Sequence, residues 1–560
     1  MKLHILKTYF YSGIILLAFN MNFTSCDDTL EEVVYSELTD DNAFTTPSDA
    51  LAAVNGIYEP LKMIAQSTVF SLNDLPTDGC YKKEMDLEIL NEGRLNGNYE
   101  ITAWWTGNYR MISRANIVLD KIPGIDTALF GETDEEAKAY KNRLLGEAYF
   151  MRGFTYYNLT DVFYTVPLIN DSKVPVDALL PPASIDELEA QIDRDLNAAI
   201  TDYPLPEKFA SNVDAGRATK GAALGYLCRL HMRIAGRLRQ AGQDATAEWN
   251  KALSYANEVM KLEGNVYHLQ PKVWNIFDPY TNEGLYNDEL MFTVRSNPNS
   301  LSGSSIIGME FTPWSYDCGW CNFALPLEMV WKFDPADERY SVLVLTKFNN
   351  VYDKNITHII PPTAKDKGTM YREQPSIVYE LEEAYTQKYK YTKPQSYNYN
   401  TGNNMPMLRF ADIILRRAEI LNELNGPTQE AIDLINRIRE RAFQNEDHNL
   451  KLADYASKEA LRSAICDERL FELNMEGTRR PDLIRMGFWK DRMDKYVGDI
   501  KQTTIYSEDN AEKTTGVRPD YSSNWKVYPQ DLKEDDIRRY MPAPKREQDL
   551  NPALKNCRNF

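Results

Sequence analysis

The stretch Ile465 to Trp489, ICDERLFELNMEGTRRPDLIRMGFW, constrains the fold more than any other part of the chain. Ala464, Ile465, Cys466, Leu470, Phe471, Leu473 and Met475 cover most of a 3.6-residue helical wheel, while Asp467, Glu468, Arg469 and Glu472 interrupt it. A helix that is apolar nearly all round is buried. Buried charges persist only when paired and hydrogen-bonded, so Glu468, Arg469, Glu472, Glu476, Arg479, Asp482 and Arg485 are expected to form one internal ion-pair network. Gly477 is expected to end the helix, and Pro481 to open a second, short one with Asp482 near its N-terminus. The catalytic reading of these carboxylates is an acid and base pair flanking a scissile bond. The structural reading, a knot of ion pairs, is preferred, because such networks perturb titration without catalysing anything.

The 560 residues exceed the usual size of one compact core, which predicts two cooperating lobes. With 43% apolar and 26% charged residues, most of the chain is expected to fold. A formal charge of −19 and the lack of a basic stripe argue against nucleic acid as a partner. Near the N-terminus, Lys2 and Lys7 form a basic region ahead of an apolar run, Tyr9 to Phe19, that is too short to span a bilayer, and small Thr24 and Ser25 precede Cys26. This predicts a lipoprotein signal peptide over 1–25, acylation of Cys26, and an acidic, extended tether over 26–40.

The six cysteines beyond Cys26 are too sparse for a disulfide-built scaffold. Cys318 and Cys321 form C-G-W-C. A disulfide tightening an aromatic loop is preferred there over a redox pair or half a zinc site, because no βαβ pattern surrounds the motif, no second CxxC exists, and the five histidines are scattered. No cofactor is expected, and nothing in the sequence bears on a structural calcium.

The spaced charges of the opening stretch read E-R-x-x-E-L-x-x-E-G-x-R-x-x-D-L-I-R from Glu468 to Arg485. This pattern resembles the C-terminal hallmark of the SusD/RagB-like nutrient-binding outer-membrane lipoproteins. Other blocks similar to that family follow its order: Trp105, Tyr109, Ile112 and Asn116; Lys141 to Asn170; Leu408 to Leu424; Ala431 to Ala442; Tyr540 to Pro544; and Asn551 to Asn556. The similarity is weakest over 60–100 and 296–400. The resemblance implies a mostly α fold of tetratricopeptide-like helical repeats with a loop-rich, partly β ligand-binding lobe. It divides the chain into an N-terminal helical-repeat region, 41–270, and a C-terminal region with variable loops, 271–560. It further implies binding without catalysis, a glycan ligand, anchorage in the outer membrane facing outward, and a SusC-like TonB-dependent transporter as partner. Asp27, Asp28, Glu31 and Glu32 look like the surface-export signal of that group.

The residues themselves support a helical frame. Thr46, Pro47 and Asp49 make a helix start, with Leu51, Val54 and Tyr58 on one face. Small Gly146, Ala148 and Gly153 among Leu145, Tyr149 and Phe150 suit closely packed antiparallel helices, and Arg217 to Ile234 with Trp249 to Leu262 reads as another pair. From Glu289, ELMFTVRSN alternates like a strand. Residues 73–103 and 296–325 read as irregular loops, and 340–405, with five tyrosines from Tyr385 to Tyr399, as a polar surface segment.

Those loops carry the candidate site. A flat aromatic ring suits the apolar face of a sugar, and amides, carboxylates and guanidiniums bond its hydroxyls, so no activated group is needed. The expected platforms are Tyr81, Trp104, Trp314, Tyr316 and Trp320, with Asp78, Arg94, Asn96 and Asn98 as polar partners. The same loops would serve a peptide or another non-sugar nutrient, which is the alternative ligand class. An enzyme ranks third, either a surface glycosidase, which needs two carboxyls across one bond, or a thiol oxidoreductase through Cys318 and Cys321. No phosphate-binding glycine loop, G-x-S-x-G elbow or H-E-x-x-H motif is present.

Overall fold

A computed structural model describes residues 44–75, 77–80, 99–175, 178–279, 281, 285–297, 306–317, 319–362, 376–379, 383–389, 402–496 and 540–556. The fold is mostly helical. Helix α1, Pro47–Tyr58, starts as its sequence predicts: the Thr46 hydroxyl accepts from the Asp49 amide and the Asp49 carboxylate accepts from the Thr46 amide, a reciprocal cap of about 1 kcal/mol. Its buried face is Ala50, Val54 and Ile57, whereas Leu51 and Tyr58 are only half-buried. Tyr58 instead donates its hydroxyl to buried Glu147, 2.9 Å away. A π-turn, Ile64–Thr68, leads into α2, Val69–Asn73.

Helices α3, Tyr99–Lys121, and α4, Asp134–Phe163, pack together, and α5, Ile185–Ala198, covers α4. Gly146 shows why small residues stand on α4: a Cβ there would lie 2.2 Å from the Tyr203 carbonyl oxygen. Arg152 on α4 holds Asp195 on α5 through two bonds of 2.8 and 2.7 Å. Helices α6, Lys220–Gln240, and α7, Thr246–Met260, form the next hairpin.

The predicted strand β1, Leu290–Val294, pairs with a later one. The elements before that partner include the short helices α8, Ile307–Phe311, and α9, Trp314–Asp317, and a sheet of β2, Lys347–Asn349, β3, Thr357–Ile359, and β4, Ile377–Tyr379. β2 and β3 are antiparallel and β4 joins β3 in parallel. β5, Met405–Arg409, is antiparallel to β1 and runs directly into α10, Phe410–Asn425. Gly426, at φ +83°, turns the chain into α11, Gln429–Phe443. Helices α12, Lys458–Leu473, and α13, Arg479–Met486, complete the core. The chain from Thr46 onward forms one compact unit.

Helix α12 is buried as its wheel predicts, but it ends at Leu473, four residues before Gly477. Met475 and Gly477 both take positive φ, +57° and +71°, in the turn between α12 and α13. The charges are paired as predicted, though in separate groups rather than one. In the first, Glu472 accepts from Arg409 at 3.0 Å and Arg441 at 2.6 Å, and both arginines also reach Glu289. Arg339 joins Glu468 to Asp337, and Lys388 contacts Glu476. In the second, Asp482 accepts from Arg469 at 2.7 Å and Arg485 at 2.8 Å, while Asp412 pairs with Arg229, Arg416 and Arg469. Arg479 belongs to neither: it holds Asp78 through bonds of 2.7 and 2.9 Å.

Burial pushes the Glu472 carboxyl up, but the guanidiniums of Arg441, Arg409 and Arg339 outweigh it and hold the group well below the usual range. Asp482 behaves the same way under Arg469, Arg485 and Arg416, which bring it down to about 2. These carboxylates are saturated with cations and shut away from solvent, so they are scaffold.

Candidate functional site

The aromatic loop of 306–323 is rooted in the core. Phe311 and Phe323 lie 5.5 Å apart and both contact Phe70 of α2, at 4.9 and 5.6 Å. Tyr389 packs on Phe70 at 6.0 Å, on Phe311 at 5.2 Å and on Phe277 at 5.7 Å. Tyr385 is buried too. The expectation that the Tyr385–Tyr399 segment is a surface loop therefore fails for Tyr385 and Tyr389, whose rings fill the core. The remaining three tyrosines lie outside the described residues.

From that root the chain makes a tight turn. Trp320 donates its amide to the Met309 carbonyl at 2.8 Å, Cys321 to Thr312 at 3.1 Å, and Phe323 to Glu310 at 3.1 Å. Gly319 is pressed so close to this rung that a Cβ would sit 1.9 Å from the Thr312 carbonyl oxygen. Cys321 takes φ +49°. Flanked by a residue with no room for a side chain and one in the left-handed region, Trp320 is carried on the outside of the turn, and it is 47% exposed.

A hairpin braces the same loop. Val351 donates its amide to the Ser315 carbonyl at 2.8 Å, and Tyr316 meets Phe348 of β2 edge-on at 5.4 Å. Phe348 is stacked in turn on His358 of β3 at 4.5 Å. At the hairpin tip, Tyr352 is 60% exposed, and the Asn350 side chain accepts from the Tyr352 and Asp353 amides, fixing the tip's shape. Tyr352 was not foreseen from the sequence. Its one signal is the N-N-V-Y-D-K-N run, whose turn residues bracket a single aromatic.

Of the expected site residues, Tyr316 and Trp320 share this loop. Trp314 opens α9, and its side chain lies outside the described residues, as do Tyr81, Arg94, Asn96, Asn98, Cys26 and Cys318. The expected Cys318–Cys321 bridge is thus outside the description. Two expectations are corrected. Trp104 is 1% exposed, with its indole nitrogen donating to the Asn158 carbonyl at 3.3 Å. Helix α3 is packed on two sides, by α1 and the π-turn and by α4, so the position next to Trp105 is also interior. Asp78 is 2% exposed and committed to Arg479. Its neighbour Asp74 accepts from the Gly477 amide at 2.7 Å. Residues 73–75 and 77–80 thus form a buried stem, and helix resumes at Tyr99, before the predicted end of the irregular stretch at 103. Through Phe70, that stem shares its root with the Trp320 loop.

No helix among the described residues is long and apolar enough to cross a membrane. No cluster of ligating side chains suited to a metal occurs among them.

The fold is a stack of helical hairpins bearing a core-rooted loop that presents an aromatic ring. Two family descriptions match the chain: "SusD family" over residues 324–560 and "Starch-binding associating with outer membrane" over 32–232. The chain belongs to the SusD/RagB-like family. A SusD-like protein of Formosa agariphila is 25% identical over 510 residues, covering 86% of this chain and 91% of that protein. The starch-binding protein SusD of Bacteroides thetaiotaomicron is 24% identical over 480 residues, covering 78% of this chain and 79% of that one. Among solved structures, a SusD homologue from Bacteroides thetaiotaomicron superposes with a TM-score of 0.69 at 21% identity, covering 92% of this chain and 98% of that chain.

Proposed function

We propose that this protein captures a glycan at the cell surface through the Trp320 loop and passes it to a SusC-like TonB-dependent transporter, held to the outer membrane by lipid on Cys26. The observation that carries the reading is the geometry of the 306–323 turn, in which backbone constraint at Gly319 and Cys321 presents an indole to solvent on a rigid base. A presented ring of this kind gives a sugar face a contact whose ordering entropy is already spent. Tyr352 on the braced hairpin adds a second ring, and Arg94, Asn96 and Asn98 serve as hydroxyl partners. The family description and the starch-binding relative support glycan as the ligand class. The helical hairpins supply the broad surface for the transporter, as stacked repeats do. The role is binding: the carboxylates of the hallmark stretch are consumed by ion pairs, which supports a non-enzymatic reading.

Affinity electrophoresis of residues 27–560 against a glycan panel and calorimetry against a peptide pool test it. Retention by at least one glycan, weakened roughly thirtyfold by Trp320→Ala, is the expected result. Binding confined to peptides, or glycan hydrolysis by the pure protein, overturns it. Cys26→Ala is expected to release the protein from the membrane fraction, and the transporter is expected to co-purify with the wild type.

A further inference from the structure

Helix α4 ends in an unusual way. Its C-cap, Tyr164, has φ +69° and ψ −67°, and the Thr165 amide donates back to the Phe163 carbonyl at 2.9 Å. This is the rare three-residue turn that strains any residue with a Cβ and that glycine adopts freely. The chain nonetheless carries a tyrosine there, and observed strain of this kind concentrates at binding sites. The Tyr164 ring rests on Tyr540, with centroids 4.8 Å apart, and both rings line a cavity of about 270 Å³ together with Asp161, Glu189, Arg233 and Arg237.

We propose that this cavity is a second subsite, taking a single neutral sugar ring, separate from the Trp320 face. Three observations choose the ligand. The two tyrosines provide an apolar face. The polar wall is internally neutralised: Arg233 donates to Asp161 at 2.9 Å and Arg237 to Glu189 at 2.6 Å. It offers oriented dipoles to hydroxyls without drawing an ion. The volume sits just below the lower end of ligand cavities, about 300 Å³, room for one ring rather than an oligomer. The strap carrying Tyr540 is fixed by the Met541 amide, which donates to the Val162 carbonyl at 2.7 Å. Buried Arg480 connects the Asp161 carbonyl, at 2.9 Å, to the Leu72 carbonyl and the Asn73 side chain, at 2.7 and 2.8 Å. The subsite therefore adjoins the start of the buried stem at Leu72 and Asn73.

The inference rests on the glycan-binding reading, and the test separates the two. Saturation-transfer NMR with D-glucose, D-galactose and D-mannose is run on the full mature chain, beside affinity electrophoresis with oligosaccharides. Wild type and Trp320→Ala are expected to give a monosaccharide signal, weakened at least about tenfold in Tyr164→Gly, the loss of one stacked ring. Tyr164→Gly is expected to keep oligosaccharide retention and to melt above Tyr164→Ala, which keeps the strain without the ring. A Tyr164→Gly protein that binds monosaccharide like wild type, a Trp320→Ala protein that loses it, or a wild type that binds oligosaccharides alone overturns the subsite and leaves the glycan reading standing. A wild type that binds neither overturns both, and a Tyr164→Gly protein no more stable than Tyr164→Ala removes the strain on which the argument rests.

Discussion

Arg409 grips Glu476 with two parallel hydrogen bonds, Nε to Oε2 and Nη2 to Oε1, both 2.7 Å. The pair joins the end of β5 to the turn after α12. Both side chains are buried, and Arg409 also serves Glu289 and Glu472. Arg409→Met is expected to leave three carboxylates short of a cation and to cost about 3–5 kcal/mol in urea denaturation. Lys208→Met, which breaks an exposed pair with Asp288, is expected to cost under about 1 kcal/mol in the same measurement.

Acid should unfold the protein through groups such as Asp482. Its folded pKa of about 2 lies below that of a free aspartate, about 3.9. Its contribution, on the order of 2 kcal/mol, is fully present above about pH 4 and is lost as pH falls toward about 2. Asp74 acts in the opposite sense. Burial raises it to about 7 despite the amides of Gly477 and Arg479, so the folded state holds its proton and stability declines as pH rises from about 4 to about 7. Asp74→Asn is expected to flatten that decline, read as the urea midpoint at about pH 5 and about pH 8.

Trp320→Ala is expected to weaken glycan binding by about 2 kcal/mol or more, roughly thirtyfold, while the melting temperature changes little, because the ring is half exposed. Tyr352→Ala is expected to show a smaller loss of affinity and an equally unchanged melting temperature.

Gly319→Ala tests whether the backbone presents the ring. Its new Cβ collides with the Thr312 carbonyl, which must open the turn and re-aim Trp320. The expected outcome is glycan binding as weak as in Trp320→Ala, with a lowered melting temperature and an indole fluorescence maximum shifted from wild type.

The helical frame was legible because its signals are local. The Thr46 cap, the small residues of α4, the β1 alternation and the charged α12 wheel each state their role within a few residues. The division of the charges into separate groups was not legible, because Asp337, Arg339, Arg409 and Arg441 arrive from segments far away in the chain. Composition misled at Tyr385 and Tyr389, where aromatic residues in a polar context fill the core. Trp104 and Asp78 failed for a related reason: a wheel or a loop pattern reports one face, and both residues are covered by second neighbours. Trp320 was found by its type, but its presentation depends on a contact between Gly319 and Thr312 that spacing does not encode.

The separate charge groups also order events in time. Arg339 pairs with Glu468, and Arg409 with Glu472 and Glu476, and burying either guanidinium without those carboxylates is costly. A chain made N-terminus first therefore cannot fully neutralise these two cations until α12 and the turn after it have been synthesised. Truncation upstream of α12 is expected to leave Arg339 and Arg409 short of these carboxylates and the chain open to proteolysis.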